Sequence, residues 1–109
     1  GDIIGIAIDC DNNYIYFAKN GTWQNSGVPT SGSTGTGAIA IPTGDYVYTI
    51  QCEDYASSGT RVMDLNTGSG FFGTTAITSA GSNGNGSLFE YDVPSGYYAL
   101  NTKNINTYG

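Results

Sequence analysis

From Ile3 to Lys19 the chain is patterned as a β-hairpin. Side chains alternate across a strand with period two, so Ile4, Ile6 and Ile8 share one face while Ile3, Gly5 and Ala7 share the other. Both faces are apolar, and the strand is expected to be covered on both sides. Asp11, Asn12 and Asn13 follow, residue types that tolerate turn geometry, and the next run sets Tyr14 and Tyr16 against Ile15 and Phe17. Asn20-Gly21 is the dipeptide a type I′ turn favours, because both of its central residues take positive φ. A second reversal is expected there, with the single tryptophan, Trp23, just beyond it.

The remainder of the chain supports the same class. Its 109 residues suffice for one domain, residues 1–109, and include seventeen glycines and nine tyrosines, with leucine only at positions 65, 88 and 100. That balance favours strands and turns over helices. Ser26 to Gly37 is dominated by Gly, Ser, Thr and Pro and reads as a surface loop. Ala38 to Ile41 is a short apolar segment stopped by Pro42, and Tyr46 to Cys52 alternates as a strand with Tyr46, Tyr48 and Ile50 on one face. Beyond a polar loop around Tyr55, Arg61 to Asn66 alternates Val62 and Asp64 against Met63 and Leu65, as a half-buried strand does. Gly68 to Gly86 reads as loop anchored by Phe71 and Phe72, with the short apolar run Ala76 to Thr78. Leu88 to Val93 and Tyr97 to Thr102 read as short strands or extended segments flanking Pro94-Ser95-Gly96. No stretch carries helical periodicity with caps. Some eight strands separated by turns predict an all-β sandwich or barrel.

Charge and residue inventory narrow the functions. Nine acidic residues oppose Lys19, Arg61 and Lys103, a net charge of −6, so a phosphate backbone finds little to neutralise it and nucleic acid is not an expected partner. There is no polybasic segment for a membrane surface and no 18-residue apolar run. The chain has no histidine, which removes Ser-His and Cys-His nucleophile systems from it and takes away the commonest zinc ligand. Cys10 and Cys52 can close one disulfide, worth about 4 kcal/mol in chain-entropy terms, or stand as two thiols packed among strands.

Four motifs invite a chemical reading. Asp9, Asp11 and Asn13 have the spacing of the first calcium ligands of an EF-hand loop, but Tyr14 stands where that loop needs Gly and Asn20 where it needs Glu, so a hairpin turn is the better account. Glu90 and Asp92, two apart, match a carboxylate pair for glycoside chemistry only in spacing, and exposed acids on a sheet are the ordinary explanation. Gly81 to Gly86 lacks the Lys-Ser or Lys-Thr ending of a phosphate loop. Trp23 with Gln24 and Asn25 is the best contact group, an aromatic platform beside amides that suits a sugar face or a protein hot spot, with Tyr55 as a further candidate. The competing account is that Trp23 folds back to cover a sheet edge. No cofactor, metal site or catalytic residue is expected.

The opening segment, with Gly1-Asp2, the apolar strand Ile3 to Ile8, the turn Asp9 to Asn13, the aromatic strand Tyr14 to Phe17 and Lys19-Asn20-Gly21, resembles the middle of a SPRY domain. The stretch from Gly68 to Ile105, with Pro94, Gly96, Ala99, Leu100, Asn101 and Thr102, resembles the C-terminal half of SPRY-like domains of bacteriophage virion proteins. It departs from ordinary SPRY domains in the Gly-rich stretch that follows Asn66 and Thr67. The resemblance implies a concanavalin-like antiparallel β-sandwich used for binding and not for catalysis. It also implies that the chain corresponds to the last half to two thirds of a family domain, with the preceding strands supplied by a longer parent chain or a neighbouring subunit. The function so implied is a non-enzymatic structural or attachment module of a phage virion, assembling with copies of itself or with other virion proteins. The alternative is a carbohydrate-binding or adhesion module on a tail fibre or a bacterial surface.

Overall fold

The computed structural model describes residues 1–53, 58–59, 62–72 and 75–108. The protein is β-rich with little helix, and its ordered centre is an antiparallel sheet of β1 (Ile4–Asp9), β2 (Tyr14–Lys19), β3 (Thr22–Trp23) and β4 (Ile39–Ala40). β2 is the hub: it pairs with β1 along its whole length, with β3 through Ala18↔Trp23 and Lys19↔Thr22, and with β4 through Tyr14↔Ala40 and Ile15↔Ile39. The hairpin and its face alternation are as the residue pattern predicts. Asn20 and Gly21 occupy the two-residue turn with φ of 48° and 78°, the left-handed pair a type I′ turn requires. Gly21 is fixed for a second reason, since a Cβ there would stand 2.6 Å from the Tyr91 ring.

The two faces of this sheet have different fates. Ala7, Tyr16 and Ala18 are buried, and the segment that closes over them is the Gly/Ser/Thr/Pro-rich loop from Gln24 to Gly37. That loop is more than a surface excursion. It forms two short 3₁₀ stretches, Gln24–Ser26 and Pro29–Thr34, and buries Pro29. The Tyr16 hydroxyl lies 3.4 Å from Ser31 Oγ, and the Tyr97 hydroxyl donates to the Pro29 carbonyl at 2.9 Å, which ties the C-terminal part of the chain to the hairpin. The opposite face carries Ile4, Ile6, Ile8, Ile15, Phe17 and Ile39, and it is largely open at its margins, with Ile4 59% exposed and Ile39 56%, while Ile15 and Phe17 at its centre are half-buried. The expectation that β1 is covered on both sides therefore fails for this face among the described residues.

Tyr46 to Cys52 and 62–66 form no strand, although both alternate. Alternation says which side chains share a face, but a strand exists only where a neighbour accepts and donates the ladder hydrogen bonds. The second half is organised instead by asparagine side chains that stand in for a ladder. Asn66 Oδ1 accepts from the Gly68 and Gly70 N–H groups at 2.8 and 3.2 Å while Asn66 Nδ2 donates to the Leu88 carbonyl at 2.9 Å. Asp92 accepts from the Ser82 and Asn83 N–H groups. The described strands here are only the two-residue β5 (Phe71–Phe72) and β6 (Thr75–Ala76), plus bridges at Ser69↔Leu88 and Gly84↔Tyr98.

The chain ends in a helix that the extended reading of Tyr97 to Thr102 does not anticipate. α1 (Thr102–Tyr108) starts where Asn101 acts as N-cap, its Oδ1 accepting from the Asn104 N–H at 3.0 Å. Asn104 is buried, donates to the Ala99 carbonyl at 3.0 Å and accepts from Asn85 Nδ2 at 3.2 Å. Tyr108 stacks on Tyr98 with ring centroids 4.0 Å apart. The radius of gyration, 14.7 Å, lies near the ~13 Å of a compact chain of this length and far from the ~33 Å of an unfolded one.

Candidate binding site

Trp23 sits on the covered face of the sheet, held there because Ala18↔Trp23 pairing gives it the orientation of Ala18 and Tyr16. Its ring meets Tyr16 edge-on, centroids 6.4 Å apart and planes at 81°, and the side chain is half-buried. Gln24 and Asn25 are exposed, and their amides turn back on the backbone: Gln24 Nε2 donates to the Thr22 carbonyl at 2.9 Å and Asn25 Nδ2 to the Gly37 carbonyl at 3.5 Å. The three residues are thus neighbours at the rim of the sheet, with the Trp23 ring paired to the buried Tyr16. Tyr55 lies outside the described residues.

The acidic motifs are engaged locally. Asp9 accepts from the Asn12 N–H at 3.0 Å through one carboxylate oxygen and from Asn12 Nδ2 at 2.8 Å through the other, which shapes the β1–β2 turn. Glu90 stands in a bend, and Asp92, outside any regular element, anchors the 82–83 loop. Asp2 pairs with Lys19 at 2.7 Å and accepts from Asn20 Nδ2 at 2.8 Å, and these two partners hold its carboxyl below the ordinary range. Tyr97 is shifted the other way: burial, followed by the nearby Asp9 carboxylate, pushes its hydroxyl up to about 12. Among the described residues no three Cys, Asp or Glu side chains come together as a metal cluster. Cys10 and Cys52 are both free and both exposed, so the disulfide is not formed, and neither thiol is packed among strands.

The surface the residue pattern does not flag as functional is the open sheet face. Beside it runs the unpaired strip Tyr46–Gln51, and between the two lies a cavity of about 170 Å³ lined by Ile6, Ile15, Phe17, Thr49, Ile50 and Gln51. The strip is itself apolar and bare, with Val47 93% exposed. Period two identifies Ile4, Ile6 and Ile8 as one set, but nothing local distinguishes a set that meets a core from a set that meets solvent.

Comparison of the chain with protein-family models, with curated proteins and with solved structures finds no match.

Proposed function

We propose that the protein is a non-enzymatic structural or attachment module of a phage virion, built on a concanavalin-like β-sandwich and assembling through protein–protein contacts. The observation that carries this reading is the open apolar face of the central sheet. Large contiguous apolar surface rimmed by polar residues marks an interaction site, and here six apolar side chains in ladder register form it without a carboxylate among them. The resemblance of the opening segment to a SPRY domain supports the sandwich part of this reading, and the resemblance of Gly68 to Ile105 to SPRY-like domains of bacteriophage virion proteins supports the virion part. The burial supplies the reason a partner is needed: among the described residues the buried hydrophobic set is Ala7, Tyr16, Ala18 and Ala99, a small interior for a chain of 109 residues.

Following a tagged copy of the protein into purified particles tests this. Incorporation that is lost in Ile6→Lys, with no signal on a glycan array, supports the assembly reading. Glycan binding by the native protein that disappears in Trp23→Ala with the fold intact supports the carbohydrate-binding alternative and overturns the first.

A further inference from the structure

We infer that Asn85-Gly86 is a self-modifying site: its asparagine converts, with water as the co-reactant, to aspartate and isoaspartate, and the conversion loosens α1 from the rest of the chain. The site is independent of the assembly reading.

The chemistry is an internal acyl transfer. The Gly86 backbone nitrogen gives its proton to solvent and attacks Asn85 Cγ; the N–Cγ bond forms, the Cγ–Nδ2 bond breaks, and the amide takes a proton back from water and leaves as ammonia. Water then opens the five-membered imide at either carbonyl, to aspartate or isoaspartate. The product carries one more negative charge than the −6 of the native chain. Glycine in the following position obstructs ring closure least, because it has no Cβ.

The chain has three Asn-Gly pairs, at 20, 83 and 85, and the fold treats them differently. Closure requires the peptide between the two residues to turn until its nitrogen faces Cγ. Asn20 is held against that turn by three bonds: its N–H donates to the Ile3 carbonyl, its Oδ1 accepts from the Ile3 N–H and its Nδ2 donates to Asp2, each at 2.8 Å. Asn83 is half-buried and held by Asp92 at its N–H and by the Val93 carbonyl at its Nδ2, and Gly84 beside it is buried. Asn85 and Gly86 are both exposed, at the centre of a turn closed by a long bond from the Ser87 N–H to the Gly84 carbonyl, 3.2 Å. Among the described residues the Asn85 side chain makes one hydrogen bond, from Nδ2 to Asn104 Oδ1 at 3.2 Å.

Charge separates the three sites as well. At Asn20 the ion pair of Asp2 with Lys19 leaves one carboxylate oxygen on the amide, and at Asn83 the Asp92 carboxylate sits on the N–H, so an anionic nucleophile forms beside negative charge. At Asn85 the neighbour is a cation: Lys103 Nζ lies 3.4 Å from the Asn85 carbonyl oxygen. That oxygen and the Gly86 N–H belong to one resonant peptide unit, so loss of the proton places charge on the oxygen that Lys103 faces. Lys103 thereby stabilises the attacking anion.

The product undoes a packing contact. Asn104, in the first turn of α1, is 3% exposed, and its Oδ1 takes its bond from Asn85 Nδ2. After conversion that buried oxygen has lost its donor and faces a carboxylate. Turning the Asn104 amide over would break its other bond, from Nδ2 to the Ala99 carbonyl at 3.0 Å.

Site-resolved peptide mapping by mass spectrometry, on the native chain held at neutral pH over weeks, tests the proposal. Asn85 is expected to convert at least about tenfold faster than Asn20 or Asn83, because the rate follows the population that opens locally, and in urea the three rates converge. Lys103→Met is expected to slow Asn85 at least about twofold at low salt and leave Asn20 unchanged, while Lys103→Arg keeps the native rate. Asn85→Asp, the product itself, is expected to speed amide exchange in α1 at least about threefold with β1 and β2 unchanged. Equal rates at the three asparagines of the folded chain overturn the proposal. A native rate in Lys103→Met overturns the role of that lysine, and native exchange in α1 of Asn85→Asp overturns the loosening.

Discussion

Replacing Asn66 with alanine tests whether side-chain amides really hold the second half together. The residue is half-buried and makes three bonds: Oδ1 gathers the Gly68 and Gly70 N–H groups, and Nδ2 reaches the Leu88 carbonyl. Those bonds bend residues 66–70 so that the Gly68 carbonyl can accept from the Leu88 N–H at 3.0 Å. At about 1 kcal/mol net for each bond the gross loss is about 3 kcal/mol, and water reaching the half-exposed site reduces it to about 2 kcal/mol. For a domain of this size that corresponds to a fall in Tm of about 8–16 °C, readable by calorimetry or by urea unfolding with an unchanged m-value. Asn66→Asp separates the two roles, since it keeps the acceptor for Gly68 and Gly70 but loses the donor to Leu88. The expected stability order is native, then Asn66→Asp, then Asn66→Ala. A loss under about 0.5 kcal/mol in Asn66→Ala, the range of an ordinary surface substitution, refutes the reasoning, and so does an aspartate variant less stable than the alanine variant.

Three further outcomes follow from individual contacts. Gly21→Ala costs about 1–2 kcal/mol by denaturant unfolding, because φ at +78° strains any β-carbon and the Tyr91 ring must swing off the turn; an unchanged midpoint rejects this. The raised Tyr97 pKa means that the folded state favours the neutral phenol, so its contribution is complete below pH 10 and is lost as the pH rises toward 12, where the hydroxyl can no longer donate to Pro29. Thermal unfolding against pH in that window is expected to be flatter in Tyr97→Phe than in the native protein. Native Ellman titration is expected to count two thiols for each chain, Cys10 and Cys52, and a value of one or none contradicts their exposure.

The residues alone determine the first two strands, the face alternation and the Asn20-Gly21 reversal, because all three are local. Period two, turn-tolerant side chains and positive φ are properties of neighbours in the chain, and β1, β2 and their turns follow within a residue. The N-cap at Asn101 is equally local and was available as a signal, but a seven-residue helix is too short to register as a period. Tertiary structure alone decides whether an alternating run becomes a strand. Tyr46 to Cys52 and 62–66 alternate as well as β1 does, yet no described neighbour supplies their ladder. It also decides that a loop of small polar residues, from Gln24 to Gly37, closes one face of the sheet, where Trp23 and Tyr16 meet in a T-shaped pair. The other face, Ile4, Ile6 and Ile8, is written in the same residues as a core and stands open, because burial depends on what packs opposite and a strand's own pattern does not specify that.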